Sequence, residues 1–329
     1  MLALWTRYRT LILRALAIVV VWYAGLYLWT QWQTASRTQL RVAVDVPSLL
    51  LASVVVLSTY ALLIETWRRV LAVYGKRIPF ADAAHVWFVS NLGKYVPGRV
   101  WQIAAMGAMA QRAGVSPAAA IGSSLVVNLV SLIAGFTVIA STAGGKIADV
   151  VGLDAAREGS GTAQLIVIAI AIGGAVALAV APFVIPRLVT LAARVTGRSI
   201  AVPHIPPRAI WIATASTVAS WLFYGVAFAW FARGISPRVT GNAWSYIAVY
   251  TGSYLAGYLA LFAPGGVGVR EAALVLAMPR FQLATAADAA VIAIASRLWL
   301  TALEILPGLV LLRIRNGVEG RPADTTDDG

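Results

Sequence analysis

Charge-free apolar runs separated by short charged connections set the pattern of this chain. They extend over residues 15–36, 46–64, 118–140, 163–185, 209–232 and 239–269, and a further run, 289–312, is interrupted only by Arg297 and Glu304. Each is close to or above the about 20 residues that a helix needs to cross hydrocarbon, so the pattern predicts an all-α, polytopic membrane protein. Two stretches break it: Ser90-Asn91-Leu92-Gly93-Lys94-Tyr95-Val96-Pro97-Gly98-Arg99-Val100-Trp101 and Leu261-Phe262-Ala263-Pro264-Gly265-Gly266-Val267-Gly268-Val269-Arg270-Glu271. Irregular backbone at membrane depth is tolerated only where protein or a water-filled cavity surrounds it. The function is therefore expected between these breaks.

Within residues 80–112 the pieces before and after Pro97 are each too short to span alone, which predicts a re-entrant pair of half-helices. The second break echoes the first, and an Ala-rich helix follows each, from Ala118 and from Ala286. The chain thus divides into two pseudo-repeated units with seven to eight transmembrane helices plus the broken half-helices. Residues 1–315 form a single transmembrane domain and 316–329 a short polar tail. Arg313, Arg315 and Arg321 point to a tail on the same side as the amino terminus, which requires an even number of crossings; the alternative is a tail outside, against the charge rule. Residues 267–280 completing an eighth crossing would satisfy this; whether the units run parallel or inverted stays open.

The net charge of +13 does not mark a nucleic-acid protein, because the basic residues gather at helix ends. Arg7, Arg9 and Arg14 precede the first run, Arg68, Arg69, Lys76 and Arg77 follow the second, and Arg187, Arg194, Arg198 and Arg208 fill a later connection, whereas Asp149, Asp154 and Glu158 enrich the connection between them. By the positive-inside rule the amino terminus is cytoplasmic, in what is expected to be a bacterial inner membrane. Glu65 is expected to pair with Arg68 and Arg69 at the interface. There are no cysteines, which excludes disulfides and thiolate chemistry, and no metal-ligand spacing or nucleotide-binding motif occurs. No cofactor and no catalytic constellation are expected.

Several helices carry polar or small-residue patterns. Ser124, Asn128 and Ser131 form a stripe on one face, either interhelical glue or a cavity wall. Gly173, Ala177 and Ala181 are spaced for close helix packing. The aromatic cluster Trp221, Phe223, Tyr224, Phe228, Trp230 and Phe231 is most simply lipid-facing or interfacial. Tyr246, Tyr250, Tyr254 and Tyr258 recur every fourth residue along about 18 Å of helix, lining a groove for head group and acyl chain or bonding a neighbouring helix.

Ionisable groups inside a membrane are costly and face a cavity or one another. Here they are Lys94, Arg99, Arg270, Glu271, Arg297 and Glu304. Ion pairs Arg270 with Glu271 and Arg297 with Glu304 would leave Lys94 and Arg99 without acidic partners, and an anion would fill that role. Half-helix amino termini present unpaired N–H groups to anions, broken helices recur at transporter sites, and arginine matches phosphate oxygens with a planar fork. The substrate-binding candidates are Lys94, Tyr95, Arg99, Asn128, Tyr250, Tyr254, Arg270, Glu271, Arg297 and Glu304.

The run Gly93-Lys94-Tyr95-Val96-Pro97-Gly98-Arg99-Val100-Trp101, Gly114-Val115-Ser116 before an Ala-rich helix, and Pro264-Gly265-Gly266-Val267-Gly268-Val269-Arg270-Glu271 resemble the bacterial and archaeal flippase-like family, related to the transmembrane region of lysylphosphatidylglycerol synthases. The resemblance covers about residues 11–312 and implies movement of an aminoacylated phospholipid between leaflets, with synthesis of that lipid left to a separate soluble domain not expected here. Lys94, Arg99, Arg270 and Glu271 fall on the motif positions; Arg297, Glu304, Asn128 and the tyrosines do not come from the resemblance.

The expected function is a flippase or transporter for an anionic or phosphate-linked lipid: a phospholipid, an aminoacyl-phospholipid or a polyprenyl-phosphate-linked sugar. The expected partners are such a lipid and a lipid-synthesis or glycosyl-transfer enzyme, with no nucleic acid. The alternatives are an enzyme subunit modifying a lipid-linked glycan through Glu271 or Glu304, and a non-catalytic partner in lipid or cell-envelope glycan synthesis.

Overall fold

The computed structural model describes residues 44–74, 77–95, 100–143, 168–169, 171–184, 187, 206–260 and 263–319. The predicted first helix, the acidic connection, Arg99 and most of the basic connection that begins at Arg187 lie outside them, as does the side chain of Tyr95. The described residues are helical, with no strand. The helices are α1 (Val46–Ala72), α2 (Phe80–Asn91), α3 (Val100–Arg112), α4 (Pro117–Ala143), α5 (Ala171–Val184), α6 (Pro207–Ile235), α7 (Ala243–Leu259), α8 (Val269–Arg280) and α9 (Ala286–Glu319).

Four of them, α1, α4, α6 and the Ala286–Leu311 part of α9, are long and apolar enough to cross a membrane. Their outward faces carry large exposed apolar side chains, among them Leu50, Val54, Leu129, Phe136, Trp211, Leu306 and Leu309. Such a surface suits lipid rather than water. Prolines sit in the first turns of α1 and α6, where the missing N–H removes no helical bond. Thr285 opens α9 by accepting from the Asp288 N–H at 3.1 Å, a capping arrangement that satisfies an otherwise unpaired donor.

The remaining helices form two hairpins. In the first, α2 and α3 have 12 and 13 residues, about 18–20 Å each at 1.5 Å per residue, and they pack side by side beyond a 3-10 turn at Leu92–Tyr95. In the second, α7 and α8 have 17 and 12 residues and flank the turn Pro264–Gly266. The base of this hairpin closes where the Thr240 N–H donates to Leu283 O at 2.8 Å, while near the tip Gly257 lies against Arg270 and Gly266. Thus α8 returns alongside α7 instead of spanning. A re-entrant hairpin stands where the sequence predicted a crossing over residues 239–269 and an optional further one over 267–280.

The two units are inverted. The Asp45 N–H at the start of α1 donates to Gly234 O at the end of α6 at 2.9 Å, so these packed helices are antiparallel. The first hairpin follows the far end of α1, where Arg68 reaches Ile78 O at 3.3 Å. The second follows the end of α6 and shares it with the start of α9 through Ser236 and Asp288, 3.2 Å apart. The hairpins therefore enter from opposite ends of the bundle, and their turns touch in its interior.

Packing corrects two expectations. The aromatic cluster of α6 points largely inward: Trp221, Phe228 and Phe231 are buried, and Phe223 is the exposed member. Gly173 and Ala177 on α5 are exposed, and the packing face is Gly174, Leu178 and Ala181, with Gly174 against Thr137 of α4. Ala181 is buried as expected, while Gly174 and Leu178, each one residue and about 100° further round the helix, take the places expected for Gly173 and Ala177. Glu65 does bind both arginines, at 2.7 Å from Arg68 Nε and 2.7 Å from Arg69 Nε.

Candidate functional site

The touching turns close one end of a cavity of about 270 Å³, bounded by α1, both hairpins, α4, α6 and α9. Its geometry begins with glycine. Gly265, Gly266 and Gly268 hold φ of 57°, 69° and 83°, a left-handed region that costs other residues about 1–2 kcal/mol. At Gly266 a Cβ would also lie 2.8 Å from Gly257 O. The Pro-Gly-Gly-Val-Gly sequence is thus what lets this turn press against α7 and start α8 at the cavity.

Glu271 caps that start, accepting the Gly268 N–H at 2.6 Å. Its other oxygen faces Arg297 Nη1 of α9 at 3.6 Å, and the same Nη1 donates to Gly265 O at 2.9 Å. Arg297 therefore ties the second tip to α9. At the first tip Lys94 Nζ lies 2.6 Å from Glu304 Oε1, and the Tyr60 hydroxyl reaches that oxygen at 3.4 Å. The expected pairing is corrected: Glu304 holds Lys94 and Arg297 lies with Glu271, so each hairpin tip is tied to α9. Residues seven apart share a helix face, but their side chains turn to opposite tips.

Arg270 stands apart. It is 6% exposed, its guanidinium carbon is 5.1 Å from the ring centre of Tyr250 and 5.2 Å from that of Tyr254, and its buried Nη2 has no hydrogen-bond partner. The tyrosine faces stabilise the cation by about 0.5–2 kcal/mol, yet a buried donor left unpaired costs about 1–3 kcal/mol. With Lys94 set against Glu304 and Arg297 against Glu271, the described groups carry one positive charge in excess, at Arg270. An anion reaching Nη2 would offset both costs.

Other candidates take distinct places. Ser124, Asn128 and Ser131 line the cavity, as do Tyr250, Tyr254 and Tyr258, while Tyr246 is buried at the hairpin base and donates to Thr240 O at 2.9 Å. The Tyr258 hydroxyl lies 3.5 Å from Asn128 Oδ1 across the α4–α7 boundary. Leu125 also lines the cavity and is 54% exposed, so the cavity approaches the outer surface beside α4. Sequence reasoning missed Tyr60, Trp87 and Tyr224, and also Asn91 and Gln102, which bond across the first hairpin at 2.6 Å. The amides were findable as polar residues flanking a break in apolar sequence. The aromatic residues were not, because nothing local separates a cavity aromatic from a core one. Among the described residues no cluster of three or more His, Asp or Glu could hold a metal ion.

No individually curated protein matches the chain. The family model described as the lysylphosphatidylglycerol synthase transmembrane region matches residues 12–308, spanning both hairpins and the cavity between them. The protein is a multi-pass membrane protein of lipid or envelope metabolism, and it belongs to the lysylphosphatidylglycerol synthase transmembrane-region family.

Proposed function

We propose that the protein moves an anionic or phosphate-linked lipid between leaflets, holding the head group in the cavity between the hairpin tips. The observation that carries this is Arg270: a buried guanidinium, stacked on two tyrosines, with a donor unpaired and, among the described residues, both nearby carboxylates set against other cations. Phosphate oxygens match its fork, and α8 begins at the same place, so its amino-terminal N–H groups add to the attraction. Inverted repeats with broken helices meeting in the bundle recur in secondary transporters. The lipid tail leaves the cavity past Leu125 and stays in the bilayer beside α4.

With the amino terminus cytoplasmic, the first hairpin opens from the cytoplasmic side and the second from the outer side of the bacterial inner membrane. Each tip then gates one face of the cavity. Movement is driven by an ion gradient or by mass action, and the protein is a transporter, not an enzyme.

Lipid mass spectrometry on protein purified in mild detergent tests the site. Wild type is expected to retain a selected anionic lipid, and Arg270→Ala to lose it by about tenfold or more, the worth of a charge-assisted hydrogen bond. A leaflet-exposure assay in vesicles should lose activity in parallel. Equal lipid content and equal transport in the two proteins would overturn the head-group site.

A further inference from the structure

We infer that the cavity selects phosphate lipids whose head group is otherwise neutral and hydroxyl-bearing, a polyol or glycosyl phosphate, and rejects head groups with an added ammonium. This rests on the anion site proposed above and names its substrate class.

Charge decides first. Both carboxylates near the tips are engaged by cations, Glu304 by Lys94 at 2.6 Å and Glu271 by Arg297 at 3.6 Å. One phosphate on Arg270 brings the described groups to neutrality. An aminoacyl head group would add positive charge beside Lys94, Arg270 and Arg297, and the carboxylates described near the tips already face Lys94 and Arg297. Such an unpaired charge in a buried site is the usual way of rejecting a competitor, and membrane depth raises its cost.

The walls fit the same class. Asn91 and Gln102 bring amides, and Tyr60, Tyr224 and Tyr250 bring phenols and ring faces. These groups donate to and accept from hydroxyls, and their rings suit the apolar face of a polyol or sugar. At about 270 Å³ the cavity falls just below the roughly 300–1,000 Å³ of pockets that enclose drug-sized ligands. It holds a head group and excludes the tail.

Two lipid sources share this chemistry: a glycerophospholipid with a glycerol head group and a polyprenyl phosphate carrying one hexose. Binding is measured on the purified full chain by competition between phosphatidylglycerol, a polyprenyl-phosphate hexose and lysylphosphatidylglycerol, with diacylglycerol as the phosphate-free control. Wild type is expected to bind at least one hydroxyl-bearing phosphate lipid about tenfold or more tightly than the lysyl lipid, and the tighter of the two names the source. Lys94→Gln releases Glu304 and is expected to narrow the disadvantage of the lysyl lipid several-fold.

Equal or tighter wild-type binding of the lysyl lipid overturns the inference, as does an unchanged ratio in Lys94→Gln. The underlying anion site fails in a different way. If it is real, Arg270→Gln weakens all the phosphate lipids together and Arg270→Lys restores part of the binding. If it is wrong, both variants leave every affinity unchanged and no phosphate lipid outcompetes diacylglycerol.

Discussion

The two hairpins occupy matching places in inverted units, yet they hold their cations differently. In the first, Lys94 sits on the 3-10 turn itself, its side chain 20% exposed, and its contact with Glu304 depends on a long flexible stem. In the second, Arg270 belongs to the opening turn of α8, is buried, and lies on the rings of Tyr250 and Tyr254. The second turn is shaped by three left-handed glycines and a capping Glu271. The first turn has no left-handed residue among those described, and an amide pair binds its half-helices. One tip thus cradles its cation between ring faces on a glycine-shaped turn, and the other, in its described residues, holds its cation by an ion pair. The two hairpins share a scaffold and differ in how each holds a cation.

The sharpest way to break this comparison is at glycine. Gly266→Val combines a backbone penalty of about 1–2 kcal/mol with overpacking of about 1–3 kcal/mol against Gly257, and its thermal unfolding in detergent should fall by many degrees. Gly93→Ala in the first turn should unfold close to wild type. Equal losses would mean that both tips are equally strained.

A smaller effect separates the ties. Removing Glu304 strands Lys94, so Glu304→Ala is expected to cost stability that Lys94→Gln in the same protein largely restores, with a coupling of about 0.5–3 kcal/mol in a double-mutant cycle. The cycle for Arg297 and Glu271 should restore less, because Glu271 also caps α8 and Arg297 also holds Gly265 O. Matching couplings would erase the distinction. Smallest is Gln102→Ala, expected to cost about 1 kcal/mol and to loosen only the first hairpin, seen as faster amide exchange in α2 and α3 with α7 and α8 unchanged.

The all-helical membrane class, the two breaks, the pairing of Glu65 with its arginines and the family were legible in the residues, because hydrocarbon imposes length and apolarity on each span and forbids stray charge. Glycine and proline mark a break locally, since backbone freedom belongs to the residue itself. The cavity-lining serines and tyrosines were also visible as periodic stripes. What the sequence could not decide was partner choice and direction. Whether α8 crosses or returns, whether the units are inverted, and whether Glu304 holds Arg297 or Lys94 depend on contacts between residues up to 210 positions apart. Those contacts are set by how helices rotate and tilt against one another, and local chemistry does not encode that; only the packed bundle could set Lys94 and Arg297 against carboxylates and leave Arg270, among the described cavity cations, without an ion pair.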